Sequence, residues 1–354
     1  MSRLVRSATN LASFTCLVIL FSCTALCQST STSSMPPTAL NSANPALAEA
    51  RSLLQQGRAS EADRAVRQFL TAQPESAEGH FLLGHILFRE IQTDAVAAAQ
   101  LEGPRDSQSN STDGKLMPEK ARESLAEFTA GAKYHDPSAA DLKVVALDYV
   151  LLGDLVDADK WLTKMLGGAP NDADGWYLLG RTKYNENRFA EAVSAFAECL
   201  KLDPRNVKAE DNLGLSYAGL SRNEEAIAAY QQAMAWQAEA PVKNPGPHID
   251  LASLLMDQNR SGEAISYLLE AVEIAPRVSR AHELLGKAYA RLEQLKKAQM
   301  ELEKAIELSP ESPNLHCMIA PVYRKQGLAE KAKAEFDRCA AMTGTHSTPE
   351  TPRR

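Results

Sequence analysis

Aromatic residues make up only 6% of this 354-residue chain, and long β-branched runs are absent. Ala, Leu, Glu, Lys and Gln dominate instead from about Ala46 onward, a composition that favours helices throughout. Strong charge of one sign is also missing: the formal charge is -7, acids and bases are interleaved, and the longest basic run in the helical region is Lys296-Lys297. That excludes nucleic-acid binding through a basic patch. Cysteine is scarce, since six occur and only Cys199, Cys317 and Cys339 lie beyond Gln28, so no disulfide framework is implied. No G-x-S-x-G elbow, phosphate-binding glycine loop or dinucleotide glycine fingerprint occurs, which leaves no catalytic residue and no cofactor to name.

The apolar stretch from Leu11 to Phe21 is too short to span a membrane comfortably. It follows Arg3 and Arg6 and precedes a polar segment, which is the order of a secretory signal peptide. Residues 1–27 are read as that signal, ending in Ala25-Leu26-Cys27, with Leu20-Phe21-Ser22-Cys23 as an alternative lipobox that would put a lipid anchor on Cys23. Residues 28–43 form a polar, disordered linker. The expectation is an exported protein of a bacterial envelope, periplasmic or secreted, with no membrane span after processing.

What the chain does contain is a period. Ala158, Ala192 and Ala226 are 34 residues apart, and after four extra residues the series resumes at Ala264, Ala298 and Ala332. Leu179, Leu213, Leu251, Leu285 and Ile319 keep the same register, as do Gly180, Gly214 and Gly286, while Pro170, Pro204, Pro276 and Pro310 mark unit ends. A period of this length means stacked supersecondary units. Within each, apolar residues recur at steps of three and four over two segments joined by a short polar turn such as Asn185-Glu186-Asn187, the pattern of a helical hairpin. Gly180 and Ala192 are expected to face each other across the hairpin, with Leu179 and Phe196 on the flanks. In the same frame Cys199 and Cys339 take a small buried place, and Cys317 falls on the open face.

Trp176, Leu179, Gly180, Tyr184, Ala192, Phe196 and Pro204, repeated as Leu213, Gly214, Tyr217, Ala226, Tyr230 and Ala233, resemble the tetratricopeptide-repeat family. The resemblance implies an all-α, right-handed superhelical solenoid of about eight hairpins over residues 44–341. The units are 44–75, a split one at 77–137, then 139–170, 173–206, 207–240, 245–278, 279–312 and 313–341. A polar loop insertion at about 99–117 divides the second unit, and 342–354 form a disordered tail. Pro321 is expected to kink or shorten the first helix of the last unit.

His80, His248, His282 and His316 share one place of the repeat, which suggests a metal. Packed helices lie roughly 8–10 Å apart, whereas two imidazoles on one zinc each approach it to about 2 Å, so one histidine per unit cannot converge on an ion. They are read as packing residues in place of the family's tryptophan, and no metal is expected.

The resemblance also implies a concave groove lined by the first helix of each unit. Carried over, it places Phe81, His85, Phe88, Arg89, Lys143, Tyr177, Arg181, Tyr184, Asn185, Lys208, Asp211, Ile249 and Met256 along that groove. Aromatic and arginine groups together favour a binding hot spot. The family's Lys and Asn clamp for a peptide carboxylate is not reproduced, because Tyr177 and Arg181 stand in its place and only Asn212 fits. The implied function is a scaffold or adaptor that binds proteins or peptides. A receptor for a small molecule or glycan is the alternative, with an enzyme behind both.

Overall fold

The turn inside each repeat is where the 34-residue period becomes geometry. Gly57, Gly153, Asn187, Ser221, Asn259, Glu293 and Gly327 all adopt positive φ, between 57° and 80°. Glycine reaches this left-handed region without a Cβ clash and asparagine tolerates it, so the chain reverses sharply at the same place in seven units.

The computed structural model describes residues 44–102 and 113–344. The reversal joins helices in pairs: α1 (Pro45–Gln55) with α2 (Ala59–Ala72), α5 (Ala139–Leu151) with α6 (Leu155–Gly168), and α7 (Ala173–Asn185) with α8 (Phe189–Leu202). The same holds for α9 (Val207–Gly219) with α10 (Asn223–Trp236), and α11 (Gly246–Asp257) with α12 (Ser261–Ile274). The last two pairs are α13 (Ser279–Arg291) with α14 (Leu295–Leu308), and α15 (Pro313–Lys325) with α16 (Ala329–Thr343). The second hairpin pairs α3 (Ala77–Glu102) with α4 (Asp113–Gly131). These sixteen helices, with no strand among the described residues, make the fold all-α. The segments expected to be signal peptide and linker, Cys23 among them, lie outside the described residues, as do 103–112 of the insertion and 345–354 of the tail.

Local chemistry sets the helix ends. Asn44, Asp172 and Asn206 accept backbone N–H groups of the first turn, and Ser138 with Asp141 forms a reciprocal capping box. At the other end, Ala169, Asp203, Ala275 and Ser309 each precede a proline and leave the helical region, with ψ between 64° and 84°, because the proline ring disfavours helical angles in the residue before it.

Each hairpin closes on a small residue set against a large one. A Cβ built on Gly180 would lie 2.6 Å from the Phe196 ring, and the same clash recurs for Gly84 with Phe128, Gly214 with Tyr230 and Gly286 with Leu302. Gly180 therefore faces Phe196, not Ala192: the ring occupies the space that the missing side chain leaves. The second hairpin keeps this register despite its insertion, since Gly180 and Phe196 are 16 residues apart, Gly84 and Phe128 are 44 apart, and the difference is the 28 inserted residues. Part of the insert extends α3 to Glu102 and starts α4 at Asp113.

The chain divides between Pro204 and Arg205 into two compact units of four hairpins each. Within a unit successive helices pack on one another, and first helices also touch first helices: α1 with α3 and α3 with α5 in unit one, α9 with α11, α11 with α13 and α13 with α15 in unit two. Among the described residues, second helices make no contact of that extent with one another. The first helices are thus the closely spaced inner layer of each unit and the second helices the outer layer.

Two expectations about the last hairpin are corrected. Of the kink or shortening expected from Pro321, the shortening does not occur: α15 carries the proline inside it and spans 13 residues like α13. Cys317 and Cys339 are joined in a disulfide between α15 and α16, with Cα atoms 5.2 Å apart. The sequence separation of 22 residues hides this pairing, which the hairpin geometry creates by bringing the two helices side by side. Cys199 is reduced and buried, and burial pushes its thiol up to about 12, which makes it unreactive.

Candidate binding face on the first helices

The inner layer of unit one is knitted by polar contacts between successive first helices. His85 Nε2 on α3 lies 2.7 Å from Asp141 Oδ1 on α5, and Lys143 Nζ on α5 lies 3.1 Å from Asp172 Oδ2 at the start of α7. On α7 the Arg181 guanidinium lies 5.8 Å from the Tyr177 ring centre, Tyr177 packs on Phe196, and Tyr184 packs on Phe189 at 5.4 Å. His85, Lys143, Tyr177, Tyr184 and Asn185 are partly exposed, and Arg89 is exposed. Of these six, His85 and Arg89 lie on α3, Lys143 on α5, and Tyr177, Tyr184 and Asn185 on α7.

Other residues assigned to the groove have a different place. Phe81 and Phe88 belong to a core cluster with Phe128, Val144 and Val145. Ile249 and Met256 belong to the core of unit two, Met256 being 1% exposed. Arg181 is only 7% exposed, so its charge supports the Tyr177 ring more than it meets solvent. A helix face wide enough to touch its own partner and the next hairpin buries positions that a flat projection leaves open.

In unit two Lys208 is partly exposed while Asp211 is 6% exposed, and Asp211 Oδ1 has no hydrogen-bond partner among the described residues. Burial and then the neighbouring Asp250 hold the Asp211 carboxyl well above the usual carboxylate range. Burial pushes Asp250 up to about 7, against the pull of Arg280. Further along, Arg280 pairs with Glu283 at 2.8 Å, and Asn314 Nδ2 on α15 donates to the same Glu283. Sequence reasoning missed Asp250, Asp141 and Asp148, since isolated acids on an amphipathic helix read as solvated residues.

The repeating histidines take the place of Trp176, whose Nε1 donates to the Pro170 carbonyl at 2.8 Å. His80, His282 and His316 each direct Nε2 at the carbonyl of the proline six residues earlier and Nδ1 at a glutamate on their own second helix, Glu127, Glu301 and Glu335. Each ring is thereby spent on joining a hairpin to the turn before it. His248 differs: its Nε2 lies 3.3 Å from Glu270 Oε2, its buried Nδ1 has no hydrogen-bond partner among the described residues, and burial lowers its pKa. Among the described residues no group of three His, Cys, Asp or Glu side chains is placed to hold a metal ion.

With both ring nitrogens against acceptors, His282 is best satisfied as the imidazolium, and the Glu301 hydrogen bond raises its pKa. Its stabilisation is complete below the unfolded value near 6.5 and is lost as pH rises through the raised folded value. Glu301→Gln is expected to lower the imidazole titration midpoint, read by NMR. An unchanged midpoint would show that the carboxylate does not hold the proton there.

Models of the tetratricopeptide repeat match residues 47–109, 173–206, 211–239 and 249–313. Among known proteins, mouse protein O-mannosyl-transferase TMTC3 is 25% identical over 140 residues, 36% of this chain and 15% of that protein. The mouse PEX5-related protein is 37% identical over 60 residues, 17% of this chain and 11% of that protein. The peroxisomal targeting signal receptor of Saccharomyces cerevisiae is 40% identical over 48 residues, 14% of this chain and 8% of the receptor. The chain thus spans less than a sixth of the length of these relatives. A tetratricopeptide repeat protein from Parabacteroides merdae superposes with a TM-score of 0.57 at 14% identity, covering 78% of this chain and 97% of that one. PilW, a type IV pilus biogenesis factor, gives 0.53 at 17% identity, covering 59% and 95%. These superpositions bear on the fold.

Proposed function

Because the chain belongs to the tetratricopeptide-repeat family, we propose that it is a scaffold of the cell envelope that binds a peptide or protein segment on the inner layer of first helices, and that it is not an enzyme. Arrays of this family are in general protein-interaction scaffolds. What supports the reading is the partial exposure of His85, Lys143, Tyr177, Tyr184 and Asn185 on three successive first helices of unit one, a mix of aromatic and charged side chains of the kind that binding hot spots favour. The relative named as a peroxisomal targeting signal receptor supports recognition of a short segment, although it shares only 48 residues with this chain. A small-molecule receptor needs an enclosed cavity, whereas the depression lined by Glu293, Leu295, Lys296, Gln299, Gln326 and Leu328 is open to solvent.

Lys143, Tyr184 and Asn185 changed together to Ala are expected to abolish capture of the partners recovered with the unmodified protein from its own cells, with helical content retained. Glu198 and Lys201, an exposed ion pair on α8, serve as the control and should change little when replaced by Ala. A folded triple variant that still captures the same partners would move the binding surface elsewhere, with the 99–117 insertion the next candidate.

Export rests on two independent features, the signal-like first 27 residues and the Cys317–Cys339 disulfide, since structural disulfides persist in oxidising compartments. No helix among the described residues is long and apolar enough to cross a membrane. The intact mass of protein from the envelope fraction should begin at Gln28, or at a lipid-modified Cys23. A chain that still begins at Met1 would rule out cleavage.

A further inference from the structure

In unit two the second helices α10, α12 and α14 are each covered by the first helix of the next hairpin, and among the described residues α16 is not. The place filled by Phe196, Tyr230, Leu268 and Leu302 is at most 1% exposed in those hairpins, yet Phe336 at the same place on α16 is 37% exposed. α16 buries only Ala332, whereas α8 buries Ala192, Ala195, Phe196 and Cys199. By contrast α15 is well anchored: it buries Leu315, Ile319, Ala320 and Val322, Tyr323 Oη donates to Glu303 at 2.7 Å, and Gln326 Nε2 donates to the Leu295 carbonyl. α16 packs along α15 as closely as the second helix does in the other hairpins, and beyond Ala332 the named ties between them are the Cys317–Cys339 bond, the His316–Glu335 pair, Arg324 over the Phe336 ring and Lys331 over the Tyr323 ring. Both cysteines are half-buried, and neither lies in the fully buried core.

We propose that Cys317–Cys339 is a thiol–disulfide exchange site for a dithiol protein, and that its reduction releases α16 from an otherwise intact unit two. A thiolate of the partner attacks one sulfur, forming a mixed disulfide and expelling the other sulfur as a thiolate. The partner's second thiol then displaces the remaining cysteine. The chain gains two electrons and two protons, becoming a dithiol, and the partner's dithiol becomes a disulfide. The link suits this role because it closes a loop of 22 residues in a hairpin of unit two whose second helix is, among the described residues, not covered by a further helix, so that one bond bears on a local transition. Release of α16 would bare the side of α15 that carries Ile319 and Tyr323, and the state of the last hairpin would track the redox poise of the compartment.

Hydrogen exchange on the full chain, oxidised and after dithiothreitol, tests this directly. Amide protection over 329–343 is expected to fall by about a hundredfold on reduction, with 279–308 and 313–325 nearly unchanged. The Cys317→Ala/Cys339→Ala variant should show the open pattern already and not respond to dithiothreitol. Equal protection in both redox states would overturn the proposal. So would a loss spread evenly through unit two, a double variant protected like the oxidised protein, or the absence of a disulfide-linked peptide in protein purified without reductant.

Discussion

Phe196→Ala is expected to destabilise unit one by about 3–5 kcal/mol, the range for emptying a buried aromatic site. The Phe196 ring is fully buried, and it fills the space over Gly180 while carrying Tyr177 on its other side. Truncation leaves a cavity that Gly180 cannot fill. Phe196→Leu should cost only about 1 kcal/mol or slightly more, because Leu302 occupies the same place opposite Gly286 in the seventh hairpin. Urea unfolding monitored by the fluorescence of Trp161 and Trp176, both in unit one, reads the difference. A repeat array need not unfold in one step, so the comparison belongs to the transition those tryptophans report. Equal losses for Ala and Leu would mean that the small-to-large packing of the hairpin is not what holds it closed. Loss of the Tyr177 support would also weaken partner capture, which links the core of this hairpin to its inner face.

Asp148→Asn is expected to stabilise the protein at pH 8 and to flatten the pH dependence of unit one. Asp148 on α5 is completely buried, and burial pushes its carboxyl up to about 8. Neither carboxyl oxygen of Asp148 has a hydrogen-bond partner among the described residues, and the Ser124 hydroxyl is spent on the Gly84 carbonyl, so burial favours the neutral acid, which is itself a donor, over the carboxylate. Below about 3.8 the folded and unfolded chains both hold the proton and the group costs nothing. Between 3.8 and about 8 the unfolded chain releases it while the folded chain keeps it, so stability falls as pH rises; above 8 the loss is complete. One pKa unit is worth about 1.4 kcal/mol, which makes the full loss on the order of 5 kcal/mol. Asparagine supplies the same donor without a titrating proton. Urea midpoints at pH 4.5, 6 and 8 should therefore decline for the unmodified protein and decline less for the variant. Parallel slopes would show that Asp148 does not titrate in this range. Asp250 adds a loss of the same sign between 3.8 and about 7, in unit two.

The repeat arithmetic, the hairpin turns and the helix ends were readable from the residues because each depends on neighbours a few positions away: a glycine or asparagine at the reversal, a proline that forbids helical backbone before it, a cap that meets the next turn. The expectation that the first helices carry the binding face came from the family resemblance, and the register repeated with a step of 34 said which positions would lie on it. Which members of that face stay exposed was not readable. Phe81, Phe88, Ile249 and Met256 carry the right spacing and are nonetheless buried, because the packing of the neighbouring hairpin decides how much of each first helix is left uncovered. Asp148 and Asp250 gave no signal in the sequence, since an acid's proton affinity is set by the solvent it loses to residues distant in the chain. The Cys317–Cys339 bond is the plainest case: two cysteines 22 residues apart become partners only when α16 folds back along α15. Local sequence determined the unit and its period, while exposure, ionisation and covalent pairing arose from contacts that exist only once the units are packed.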